Sequence, residues 1–233
     1  MLMKLTSPPR HARHARHAVA AIAFFTSLIS QAQTDESMTT SASATTYAVN
    51  ARQSSVNILV YRAGALAVFG HDHVMTVAAL SGRVWVGATP EQSGFDLSFP
   101  VAELIVDDPA AREAAGREFE PPVSQADRDG TRHNMLLPAV LDSEHYPQIT
   151  LRSSQMSGTL PDVQFVVQVQ IKDATRDVTV PANVVINGKD LTATGQFEIL
   201  QSEFGIKPFK VALGALEIRD RLLVNFSVSA QAQ

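Results

Sequence analysis

From Tyr47 onward the chain alternates between apolar and polar positions. Val56, Ile58 and Val60 fall on one face of a strand, with Asn57, Leu59 and Tyr61 on the other. Ser81–Val86 repeats the pattern, with Val84 and Val86 opposite Arg83 and Trp85. Phe95, Leu97 and Phe99 oppose Asp96 and Ser98. Val163, Phe165, Val167, Val169 and Ile171 oppose Gln164, Gln168 and Gln170. Near the C-terminus Leu222, Val224, Phe226 and Val228 stand against Asn225, Ser227 and Ser229. A period of two over so many segments predicts half-buried antiparallel strands. Asn187-Gly188, between Val184–Ile186 and Leu191–Ala193, predicts a hairpin turn.

Helical signals are confined to the middle. Asp107-Asp108 before Pro109 reads as a cap with proline at the first helical position, leading into a helix over 110–119. Ser124 with Asp127 three residues later resembles a capping box. The helix that follows would carry Arg128, Arg132 and His133 on its polar side. It would end near Met135, Leu136 and Leu137, with Gly130 weakening it by up to about 1 kcal/mol. The expected class is therefore all-β and antiparallel, with a short helical insert over roughly 108–138. Alternation alone fits a two-sheet sandwich as well as a closed barrel.

The first 32 residues stand apart. Lys4, Arg10, Arg13 and Arg16 precede an apolar Ala18–Leu28, and Ser30-Gln31-Ala32 supplies small residues at a cleavage point. This reads as a secretory signal peptide over 1–32, because the apolar run is too short to span a bilayer. Residues 33–45, rich in Ser, Thr and Ala, read as a flexible linker, and 46–230 as one domain. Loss of the leader removes four of the 19 Lys+Arg and none of the 23 Asp+Glu, leaving 15 against 23 and a net charge of −8. An acidic mature chain disfavours nucleic acid or an anionic membrane as its main partner. The chain has no cysteine, which excludes disulfides, thiolate metal sites and a lipidated cysteine. The expected location is the periplasm or the exterior, with no transmembrane span once the leader is gone.

Leu141–Leu151 is the most distinctive stretch: a polar turn, the rigid pair Tyr146-Pro147, then a strand from Gln148. Ile171–Val180 reads as a tight hairpin. Gln196–Leu200 reads as a strand that runs on to a Phe204-Gly205-Ile206 corner, and Tyr47–Asn50 with Ser55–Ile58 as an opening strand pair. In this order these segments resemble the YceI-like family, secreted lipocalin-like barrels that bind polyisoprenoids. The resemblance covers roughly 46–230. It implies a closed antiparallel barrel and a non-catalytic binding or carrier protein for a polyisoprenoid or similar amphipathic lipid. It also implies no cofactor beyond a bound isoprenoid lipid or prenyl quinone, and it leaves room for a homodimer. Under it, Phe95, Phe99, Phe165, Val167 and Val169, with Trp85, become candidate cavity-lining residues in place of plain core.

Gly70-His71-Asp72-His73 is the sharpest polar feature. On a strand His71 and His73 would project from one face, roughly 6 to 7 Å apart, with Asp72 turned the other way. They could hold a ligand's polar end, form structural hydrogen bonds, or supply two ligands to a metal. Zinc needs three or four, for which His133 or His145 is a candidate. This metal-binding or metal-dependent enzyme is the alternative function. The basic pairs Arg128/Arg132 and Lys207/Lys210 are further headgroup candidates. No Gly-x-Ser-x-Gly elbow or phosphate-cradling glycine loop occurs, so the expectation is a protein that is not an enzyme.

Overall fold

The computed structural model describes residues 44–233, and the expected leader and all but the end of the expected linker lie outside the described residues. The alternating segments become twelve strands. They are β1 (Thr45–Val49), β2 (Ser55–Ala63), β3 (His73–Val77), β4 (Ser81–Val86), β5 (Gly94–Pro100) and β6 (Leu104–Val106), then helices α1 (Pro109–Ala115) and α2 (Gln125–Leu136). After the helices come β7 (Gln148–Thr159), β8 (Asp162–Ile171), β9 (Ala174–Asn187), β10 (Asp190–Leu200), β11 (Lys210–Val211) and β12 (Leu216–Ala232). Thr45, assigned to the linker by composition, already opens β1.

Eight strands close on themselves in the order β1-β4-β5-β7-β8-β9-β10-β12, and β12 pairs back to β1. The closed barrel, not the sandwich, is the outcome. Closure depends on the 17-residue β12, which is long enough to pair with β10 along one edge and with both β2 and β1 along the other. β3 and β6 then extend the sheet beyond β2. Closure leaves no long unpaired edge in the circuit.

The alternation predicts the inside and outside of each strand. In β8, Val163, Phe165, Val167, Val169 and Ile171 are all buried while Gln164, Gln168 and Gln170 are exposed. The β9–β10 hairpin turns at Gly188, whose φ of +60° suits glycine. Pairing between β9 and β10 runs from Asn187/Asp190 to Ala182/Gly195 and stops beside Pro181, which has no N–H to donate. Gly195 is required there, because a Cβ would sit 2.4 Å from the Pro181 carbonyl oxygen and 2.6 Å from the Phe226 ring.

The helical insert falls where expected, with two differences. α1 ends at Ala115 instead of running to Phe119, because Gly116 adopts φ +100° and turns the chain into a 3-10 turn over Arg117–Phe119. Only Asp108 caps α1, accepting from the Ala110 and Ala111 N–H groups at 3.0 Å. Asp107, read from sequence as part of that cap, is wholly buried and does something else. In α2 the Ser124 Oγ accepts from the Asp127 N–H at 3.1 Å and donates to its carboxylate at 2.6 Å. Gly130 faces open space where a Cβ would meet nothing.

α1 and Phe119 cover the outer face of β2 and β3, packing against Leu59, Tyr61 and Val74. α2 lies across one end of the barrel. Arg132 ties it down, donating to the Leu104 carbonyl at 3.1 Å and the Ala102 carbonyl at 2.6 Å. Met135 and Leu141 join the barrel core from this end.

Candidate functional site

The interior of the barrel holds two chambers. The first, of about 150 Å³, is lined by apolar side chains almost throughout. Trp85, Phe95, Phe99, Phe165, Val167 and Val169 are all among its lining residues. Phe95 and Phe165 meet edge to face with centroids 5.2 Å apart, a geometry that aromatic quadrupoles favour. Trp85 pairs in register with Gly94 across β4 and β5. The absent Cβ makes room for the indole, since an added Cβ would lie 2.8 Å from its ring.

The second chamber, of about 500 Å³, lies at the end covered by α2 and has mixed walls. Arg62, His71, His73, Asp127, Asn134, Gln201 and Glu217 contribute polar groups, and Val60, Met75, Leu104, Phe204 and Leu222 apolar ones. Ile58, Ile149, Ile171 and Ile199 line both chambers, so the two meet at a belt of four isoleucines. The polar chamber's volume falls in the range of small-molecule sites, roughly 300–1,000 Å³.

His73 is the best-anchored polar side chain of this chamber. Its Nδ1–H donates to the Asp107 carboxylate at 2.6 Å. The other Asp107 oxygen accepts from the Val74 N–H at 2.9 Å and from Arg112 Nη1 at 2.6 Å. Arg112, itself buried, also donates to the carbonyls of Asp72 at 2.7 Å and Pro121 at 2.9 Å. Burial pushes the Asp107 carboxyl up, but the His73 hydrogen bond, the Val74 N–H and Arg112 outweigh it and hold the group below its ordinary value. An ionised Asp107 therefore keeps the proton on His73 Nδ1 and leaves Nε2 for the chamber. Among the described residues no buried side-chain nitrogen or oxygen lacks a partner.

His71 also lines the polar chamber, its ring centroid 6.2 Å from that of His73. The spacing matches the expectation, but only His73 is in β3, and His71 belongs to the preceding loop. Asp72 turns away to Arg62, accepting from its N–H at 2.8 Å. The other described histidines do not complete a triad. His133 is exposed on α2, and His145 is exposed on the Leu141–Pro147 turn, where Asp142 at 2.8 Å raises its pKa by accepting its hydrogen bond. Among the described residues no group of three or more His, Cys, Asp or Glu is arranged to hold a metal ion.

Three of the four residues in the basic pairs have structural partners. Arg128 donates to Gln125 at 2.7 Å, Arg132 fastens α2, and Lys210 pairs with Glu217 at 2.7 Å. Sequence reasoning missed Asp107, Arg62 and Gln201 as members of the polar end, and the four isoleucines as the common wall. The positive φ of Asp107, +54°, lets it reach back to β3, and no local motif announces it.

A family model for the YceI-like domain matches residues 47–230. The chain belongs to the YceI-like family. Among solved structures, this YceI-like chain is similar to Burkholderia cenocepacia BcnA, with a TM-score of 0.57 at 18% identity over 78% of this chain and 99% of that one. It is also similar to the Campylobacter jejuni YceI protein, with a TM-score of 0.48 at 13% identity over 66% of this chain and 82% of that one. At such identity the BcnA likeness shows the YceI-like fold alone. No curated protein matches the chain. Among the described residues no helix is long and apolar enough to cross a membrane.

Proposed function

We propose that this YceI-like protein is an exported, non-catalytic binder or carrier of a polyisoprenoid or similar amphipathic lipid. The observation that carries the reading is the pair of adjacent chambers, one apolar and one mixed, that share the isoleucine belt. An apolar tail fits the inner chamber, and a polar end fits beside His71 and His73. Tail burial contributes on the order of 25 cal/mol per Å² removed from water, so binding needs no catalytic group. Family membership supports the same ligand class. The test is native mass spectrometry of protein purified from its own host, with titration of a prenyl alcohol and a prenyl quinone. Trp85 is the only tryptophan of the chain and is among the residues lining the inner chamber, so its fluorescence is a probe of occupancy. A lipid adduct and saturable titration are expected. Clean protein that binds neither prenyl compound refutes the reading.

The histidine pair sets a second expectation. The chamber's charged groups are Arg62, Asp127 and Glu217 on its wall, with Asp107 and Arg112 behind His73. Imidazole N–H groups and unprotonated ring nitrogens facing the chamber can hydrogen-bond a hydroxyl or carbonyl polar end. Affinity for a prenyl alcohol is expected to fall several-fold in the His71→Gln/His73→Gln protein, since burying a polar end without its partner is costly. Equal affinities in the two proteins would remove the pair from the site. The metal alternative keeps only two ligands, and elemental analysis of untagged protein decides it: stoichiometric metal lost in His71→Ala would replace the carrier reading.

A further inference from the structure

The two loops around the mouth of the polar chamber leave large apolar side chains in solvent. Val68 and Phe69 are 77% and 76% exposed, Leu213 is fully exposed, and Leu66, Phe209 and Val211 are exposed beside them. The loops form one surface: the Leu66 N–H donates to the Ala215 carbonyl at 2.7 Å, and the Ile218 N–H to that of Phe209 at 3.0 Å. A monomeric surface rarely concentrates such residues without a partner. Leu213 also holds φ +56°, a left-handed conformation uncommon for leucine.

We propose that this lip docks on a lipid bilayer surface. Two observations select that occupant. The first is continuity. Phe69, Phe209 and Val211 line the polar chamber as well as the exposed rim, so apolar surface runs from solvent into the cavity. The second is charge. Residues 62–70 and 205–216 carry Arg62, Lys207 and Lys210 and not one Asp or Glu, in a chain with 23 acidic residues against 19 basic. Lys210 is paired with Glu217 and Arg62 with Asp72, while Lys207 is exposed. With those two pairs the rim stays close to neutral, with Lys207 its one added cation, and an apolar rim of little net charge can settle at a membrane interface. Its use rests on the carrier reading: a docked lip would open the chamber toward the bilayer, where a lipid can pass without crossing water.

The test uses the full chain and phosphatidylglycerol vesicles free of isoprenoid lipid. In a Trp85→Phe background, Leu213→Trp fluorescence is expected to be quenched by brominated lipid, and Val185→Trp, exposed on β9, is expected to be unquenched. In co-sedimentation, Val68→Asp/Leu213→Asp should weaken vesicle binding at least about tenfold, while the equally charged Leu160→Asp/Val185→Asp should not. No quenching at position 213, or equal loss in both double variants, overturns the proposal. So does a wild-type dimer that Val68→Asp/Leu213→Asp converts to a monomer, because a second copy would then cover the lip. Neither Val68 nor Leu213 lines a chamber. Farnesol titration of the wild type therefore tests the carrier reading separately, whatever the vesicle result.

Discussion

Asp107→Ala is expected to lower folding stability by about 3–5 kcal/mol, because it leaves the buried Arg112 guanidinium without its counter-charge. The same change orphans the Val74 N–H and the Nδ1–H of His73. Urea denaturation followed by far-ultraviolet circular dichroism measures the loss. Asp107→Asn retains the shape and one acceptor oxygen, so it should cost less than alanine and more than a surface change. The carboxyl also sets an acid limb. Its folded pKa lies below the ordinary value. Its contribution is therefore complete above the unfolded carboxyl's range and is lost as pH falls through the lowered folded value. That part of the acid sensitivity should be missing from Asp107→Asn. A loss below about 1 kcal/mol for alanine would mean the pair behaves as a solvated surface ion pair.

Ile171→Trp is expected to separate long ligands from short ones. Ile171 belongs to the belt between the two chambers, and an indole there would block the way to the inner one. A prenyl chain long enough to reach Phe95 and Phe165 would lose its tail burial. About 80 Å² left in water corresponds to roughly 2 kcal/mol, about a 30-fold loss of affinity. A short prenol confined to the polar chamber should bind within a few-fold of wild type. Overpacking would itself cost about 1–3 kcal/mol of stability, so the melt is measured beside the titration. Equal loss for both ligands would mean that the chambers do not act in series.

Much of the barrel is legible along the chain because strand side chains alternate strictly between two faces. Val163 to Ile171 announce their burial one by one, and Asp108-Pro109 and Ser124 mark helix starts through local hydrogen bonding. Alternation puts Phe95, Phe99, Phe165, Val167 and Val169 on apolar faces that line the inner chamber, whereas Trp85, opposite Val84 and Val86 in that pattern, lines it against the alternation. The histidine pair was legible as a polar feature because two residues apart is a local distance. Its anchoring was not. Asp107 reaches His73 across 34 positions of sequence, and beside Asp108 it looks like half of a cap.

By itself the sequence determined the strand periodicity, the hairpin at Gly188, the helical insert and which side chains turn inward, since each depends on neighbours within a few residues. The tertiary structure alone decided that the sheet closes instead of stacking. Closure rests on β12 pairing with β10 along one edge and with β1 and β2 along the other. It also decided that the inward faces leave two chambers sharing a belt of isoleucines, that α2 covers one end, and that Asp107 joins Arg112 behind His73. Those outcomes depend on strand order and on the volume left between side chains distant in sequence, quantities that no local pattern encodes.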